Sequence, residues 1–230
     1  MPQAAKHRGH SKAVVVLLGG PGSGKGTHGQ ALAAALGYQH LSSGEHFRDH
    51  IRRATPLGRR ASQAIESGQL ATDDLANELV RAMLDGCPDA SGFVLDGYPR
   101  SRAQAEALEG TVSALGCVVT QTLYLAISDD EIVRRLSGRL TCRACARTCH
   151  ETSKPPARPG VCDACGGELF RRADDEPATI RQRVVVFHRM IGPLLDFYRA
   201  TGRLVEIAAE GPVGDVSARV IAESKNERPR

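Results

Sequence analysis

The chain has 230 residues, 41% of them apolar, enough for one sizeable core with small inserts and too apolar for a disordered segment. With 30 basic and 26 acidic residues the net charge is +4, a mildly basic balance that suits acidic small molecules and does not exclude nucleic acid. No run reaches the roughly 18 apolar residues of a membrane helix, and the apolar stretch after the basic Met1–Lys12 is too short for a secretion signal, so a cytoplasmic protein is expected.

Residues 1–12 read as a polar tail. Ala13–Leu18 is a short β-branched run ending in glycines and predicts a strand buried on both faces. Gly24–Leu36 has a helical pattern stopped by Gly37, and Tyr38–Leu41 reads as a second strand. Ser43 is placed to cap a helix running to about Arg53. Pro56–Ser67 reads as a further helix ended by Gly68. Thr72–Leu84 is amphipathic, with Leu75, Leu79 and Met83 on one face. Gly92–Leu95 is another buried strand, Ser101–Leu108 a helix, Val118–Ile127 a strand, and Asp129 the cap of a helix to Leu136. After a break at residues 138–175, helix resumes at Pro177. Leu204–Ile207 is the last strand, Val213–Glu223 the closing helix, and residues 223–230 a polar end. Strands alternating with helices predict an α/β fold with a central parallel sheet covered on both sides.

Gly19-Gly-Pro-Gly-Ser-Gly-Lys-Gly-Thr27 lies between a predicted strand and a predicted helix, the context that gives a phosphate-gripping loop its meaning. Glycines let backbone N–H groups turn inward onto phosphate oxygens, and the helix N-terminus adds partial positive charge. Lys25 can reach the outer phosphates, and Thr27 can help place Mg²⁺. Basic charge is otherwise carried by arginine. Between Ala13 and Val220 the lysines are Lys25 and Lys154, and a compact ammonium suits the loop better than a planar guanidinium.

The break at 138–175 holds five cysteines and several prolines and glycines, and reads as a compact insert. Cys142-x₂-Cys145, sixteen residues, then Cys162-x₂-Cys165 has the spacing of a structural zinc site. Two disulfides at these positions would require an oxidising compartment. Cys149 and His150 are spare candidate ligands, and Arg143 and Arg147 are placed to offset the charge of a tetrathiolate centre. Cys87 and Cys117 read as ordinary thiols.

Four blocks occur in order along the chain: Gly22–Thr27; Leu41-Ser-Ser-Gly-Glu-His-Phe-Arg48; Asp96-Gly-Tyr-Pro-Arg100 with Gln104; and Arg172-Ala-Asp-Asp175 with Arg183. Together, from Ala13 to Val220, they closely resemble the adenylate kinases of the long, zinc-binding lid type. Gly26 after Lys25, where the strict loop pattern has Ser or Thr, agrees with the nucleoside monophosphate kinases rather than the GTPases. The resemblance implies a P-loop three-layer fold with a five-stranded parallel sheet. A core of 13–41, 72–137 and 176–222 would carry a helical monophosphate-binding insert at 42–71 and a lid at 138–175, with Gly138 and Asp175 as hinge positions.

It further implies an enzyme that moves the terminal phosphoryl group of ATP to AMP with Mg²⁺. Nothing in the sequence demands an oligomer, so a monomer is expected. ATP would be held by Gly22, Ser23, Gly24, Lys25, Gly26 and Thr27, with Arg135, Arg139, Thr148, Cys149 and Gly211. AMP would be held by Ser43, Arg48, Gln69, Leu70, Ala71, Gly97, Tyr98, Pro99, Arg100, Gln104, Arg172 and Arg183. Lys25, Arg100, Arg139, Arg172 and Arg183 would surround the transferring group, Asp96 would hold Mg²⁺ through waters, and Asp174 and Asp175 would anchor the closing segment. Gln104 offers a donor and an acceptor to the edge of adenine. The family usually has Thr at Ser43, an apolar branched residue at Ala71 and an aromatic one at Cys149. Smaller residues at the first two loosen the acceptor pocket, and Cys149 shifts donor-base contact onto Arg135. The competing readings are a monophosphate kinase for another acceptor base and a zinc-ribbon nucleic-acid module. The scarcity of aromatic side chains speaks against the module.

Overall fold

The computed structural model describes residues 11–66 and 69–226. The expected helix stop at Gly68 and most of the two polar ends lie outside the described residues.

The chain order is β1 (Lys12–Gly19), α1 (Lys25–Leu36), β2 (Gln39–Ser42), α2 (Ser43–Arg52), α3 (Pro56–Glu66), α4 (Asp73–Asp85), β3 (Gly92–Asp96), α5 (Arg102–Ala114), β4 (Cys117–Ala126) and α6 (Asp129–Ser137). Then come β5 (Arg139–Cys142), β6 (Thr148–His150), β7 (Leu169–Phe170), a 3₁₀ turn (Ala173–Asp175), α7 (Pro177–Ala200), β8 (Leu204–Ala208) and α8 (Val213–Lys225).

Five strands form one parallel sheet in the order β2-β3-β1-β4-β8. The alternation of side chains along β1 explains why the strand is apolar throughout. Val14, Val16 and Leu18 face one layer with residues of α4, α5 and α7, while Val15 and Leu17 face the other with residues of α1 and α8. With both faces covered, each residue from Val14 to Leu18 is buried. Ligands of such sheets bind at the carboxyl ends of the strands, where the connections diverge. β1 ends there in Gly19, and its neighbour β3 ends there in Asp96.

Two expected caps shift by one residue. β2 runs directly into α2, so the change from extended to helical backbone falls on Ser42, and Ser43 is already helical. Likewise Ser128 is the extended N-cap of α6, and Asp129 opens its acidic first turn. α5 is longer than its sequence pattern, continuing past Leu108 to Ala114 because Val112 is buried on the same face as Leu108. The cysteine insert is ordered as a three-stranded antiparallel sheet, β6-β5-β7. No helix among the described residues is long and apolar enough to cross a membrane.

Candidate active site

The loop between β1 and α1 closes on its own lysine. Lys25 Nζ donates to the carbonyls of Gly19 and Gly20, each at 2.8 Å, and lies 3.3 Å from Ser23 Oγ. Gly22 and Gly24 have φ of 76° and 88°, where a side chain is strained, and a Cβ on Gly24 would press on the His28 ring at 2.8 Å. Burial pushes the Lys25 ammonium down to about 8, against the pull of Asp96 and with the repulsion of Arg100, Arg183 and Arg139.

A single cleft of about 960 Å³ opens above this loop. Into it the fold brings Gly22, Gly24, Lys25, Gly26 and Thr27 from the loop, Ser43 and Arg48 from α2, and Gln69, Leu70 and Ala71 from the segment before α4. Asp96, Gly97, Tyr98, Pro99, Arg100 and Gln104 enter from the end of β3 and the start of α5. Arg135, Arg139, Thr148, Cys149, Arg172, Arg183 and Gly211 complete its far side. Ser23 is not among them: it is fully buried beneath the loop.

The cationic side chains are crowded and desolvated. Burial lowers the pKa of Arg48, of Arg100 (to about 10) and of Arg172 (to about 9), and neighbouring guanidiniums lower all three further. Fixed carboxylates hold the group in place. Asp175, fully buried, accepts from Arg139 through both oxygens at 2.7 and 2.5 Å and from Arg183 at 3.0 Å. Asp174 takes a second contact from Arg183 at 3.1 Å. Arg172 donates its Nε to Thr141 Oγ1 at 2.8 Å. Arg135 spans Glu131, the Ala209 carbonyl and, at 3.5 Å, the Gly22 carbonyl. The positive charges outnumber the acids that face them, which makes the cleft a trap for polyanions.

Several contributors carried no sequence signal. Val186, Phe187, Met190, Ile191 and Leu194 of α7 line the cleft, yet their pattern is that of any core helix. His28, buried and pushed down to about 4 by desolvation and by Arg135 and Arg219, also lines it and bonds Ser217 of α8 at 2.8 Å. Gln104 is anchored internally. Its Oε1 accepts from the Arg100 N–H at 2.7 Å, and its Nε2 donates to Asp73 Oδ1 at 2.7 Å.

At the far end of the insert, the sulfur atoms of Cys142, Cys145, Cys162 and Cys165 all lie within 4.8 Å of one another. The Cys142–Cys165 and Cys145–Cys162 pairs stand 3.4 and 3.7 Å apart, and no disulfide joins them. A tetrahedron of thiolates at about 2.3 Å from an ion has edges of about 3.8 Å, so the four sulfurs fit a metal. Two like turns build it. Ala146 and Gly166, each following a Cys-x₂-Cys pair, return their N–H to the first cysteine's carbonyl with φ of 58° and 72°. A Cβ on Gly167 would lie 2.9 Å from Cys142 Sγ, so glycine leaves room for the sulfurs. Cys149 packs beside this cluster without joining it. His150 instead bridges the Arg134 carbonyl and the N–H groups of Thr152 and Ser153. Arg143 pairs with Glu168 at 2.9 Å and stacks over Phe170.

The family model described as adenylate kinase matches residues 17–203. The adenylate kinase of Acidothermus cellulolyticus is 44% identical over 208 residues, covering 90% of this chain and 96% of that protein. Those of Salinispora tropica and Caldicellulosiruptor saccharolyticus are 42% and 37% identical, each over 90% of this chain and at least 95% of their own length. With a phosphate loop, a converging arginine cluster and this likeness over nearly its full length, the chain belongs to the adenylate kinase family.

Proposed function

We propose that the cleft holds ATP and AMP together and passes the terminal phosphoryl group from one to the other, giving two ADP. The observation that carries this reading is the convergence of Lys25, Arg48, Arg100, Arg139, Arg172 and Arg183 on one cavity. Two polyanions repel each other, and a transferring phosphoryl group spreads charge over its oxygens, so catalysis is mainly positioning and electrostatic stabilisation. In this reading the loop and Lys25 grip the donor phosphates. Arg135, Thr148, Cys149 and Gly211 lie against the donor nucleoside. Arg48 and Arg100 take the acceptor phosphate, and Ser43, Gln69–Ala71 and Gln104 its base. Arg139, Arg172 and Arg183 surround the group in flight.

Asp96 and Thr27 would hold Mg²⁺, which neutralises the phosphate oxygens when bound. The support is the buried carboxylate of Asp96 on the cleft wall, near enough to Lys25 to pull on its charge, with Thr27 lining the same cleft. The four thiolates would hold Zn²⁺ and stiffen residues 138–175 as a lid that keeps water from the donor. All four positions of the ion are then filled by the protein, so its part is structural. We assign action as a monomer in the cytoplasm. The large exposed apolar side chains among the described residues, Val133, Val185 and Val213, are few and are not core-like.

Assay of ATP with AMP, CMP, UMP and GMP tests the reading. ADP formation that depends on AMP is expected, and failure with every monophosphate would refute it. Chelation of the zinc-loaded protein should lower its melting temperature, with residues 138–175 losing amide protection before the sheet. Identical melting with and without zinc would contradict the structural role.

A further inference from the structure

Gln104 is an ambiguous reader of bases unless something fixes which end of its amide is which. Here both ends are fixed by partners that allow one orientation. The Arg100 N–H can only donate, so the atom 2.7 Å from it is the carbonyl oxygen. The Asp73 carboxylate accepts through both oxygens, from Ser101 and here, so the atom 2.7 Å from its Oδ1 is the amide nitrogen. Turning the amide over would set donor against donor at Arg100 and acceptor against acceptor at Asp73. After these two bonds, Gln104 keeps one N–H and one carbonyl lone pair, and the residue lines the cleft. Its side chain is almost wholly buried, so an unpaired group there is costly.

We propose that Asp73 is a positioning residue that sets the direction in which Gln104 reads the acceptor base, restricting it to bases with an amino group beside a ring-nitrogen acceptor. This rests on the reading of the cleft as a phosphotransfer site and names what selects its acceptor. Adenine matches the fixed amide: its N6 amino group donates to Oε1, and its N1 accepts from Nε2. Hypoxanthine and guanine present the reverse, an O6 acceptor beside an N1–H donor, and meet like against like at both positions. Cytosine shares adenine's pattern but is smaller, so the fixed amide rejects inosinate and guanylate while shape disfavours cytidylate.

Asp73 also accepts from the Ser101 hydroxyl at 3.3 Å, and Ser101 caps α5 by accepting from the Gln104 N–H at 3.1 Å. A purely structural role would therefore run through that cap, and the test separates the two. The variant Asp73→Asn can offer its own N–H₂ to a reversed Gln104. It should lower the ratio of kcat/KM for AMP over IMP by about tenfold or more, the worth of one opposed buried hydrogen bond. Ser101→Ala should lower the melting temperature and leave that ratio as in the wild type. An unchanged AMP-to-IMP ratio in active Asp73→Asn would overturn the assignment. The wild type supplies a check that needs no variant. The monophosphate of purine riboside keeps N1 and has no C6 substituent, so it should be a better acceptor than IMP. IMP equal to or better than it would mean that Gln104 turns freely and would also overturn the assignment. Absence of AMP-dependent turnover in the wild type would refute the functional reading itself, and the assignment with it.

Discussion

Replacing Lys25 by Met is expected to lower kcat about 100-fold or more in a protein that still folds. The ammonium donates to the Gly19 and Gly20 carbonyls of the loop. Its loss removes a desolvated charge from beside the donor phosphates at the moment their charge is redistributed. Methionine keeps the stem, so the deficit should appear in kcat rather than in folding. A deficit of only a few-fold would make Lys25 peripheral.

The same residue gives a pH signature with two opposite signs. In the free protein burial holds Lys25 down to about 8, against 10.5 when unfolded. Above about 8 the ammonium is lost, so kcat/KM for the donor should fall, since that quantity reports the free enzyme. Bound phosphates favour the charged form, so kcat should hold to higher pH. Stability moves the other way. Between about 8 and 10.5 the unfolded chain binds the proton and the folded one does not, so this group's contribution rises with pH. Lys25→Met should abolish both trends, and a wild-type kcat/KM flat to pH 10 would contradict the assignment.

Asp175→Ala is expected to cost about 3–5 kcal/mol of stability, on the order of 10 °C in melting temperature for a chain of this size. Asp175 is fully buried and pairs with both Arg139 and Arg183. Removing it takes the carboxylate from Arg139 and leaves Arg183 with Asp174 alone, in a site already crowded with positive charge. The loss has a second readout: nucleotide phosphates can replace the missing carboxylate, so ATP with AMP should raise the variant's melting temperature more than the wild type's. Equal ligand-induced shifts would show that the two arginines do not meet the phosphates.

Much of this architecture could be read from the residues because its causes are local. The β-branched run of β1, the glycines of the loop and the Cys-x₂-Cys pairs each act through neighbours in sequence. Their spacing therefore carries their geometry. The caps of α2 and α6 were displaced because a serine at the junction takes the extended conformation just ahead of the residue expected to cap. Contacts across long separations left no such trace. Asp73 meets Gln104 across 31 positions, and His28 meets Ser217 across 189, only because sheet order stacks their helices. Family resemblance supplied Gln104 as a base contact but not the carboxylate that aims it. Asp73 reads in sequence as an ordinary acidic residue in a helix's first turn. The α7 side chains on the cleft wall read likewise as core.

Incubating the protein with MgATP labelled at the γ-phosphate and with unlabelled AMP tests whether one cleft brings two nucleotides together for direct transfer. Label should pass into the β-phosphate of the ADP formed from AMP, with almost none released as inorganic phosphate. Label appearing mainly as inorganic phosphate, or held on the protein, would contradict it.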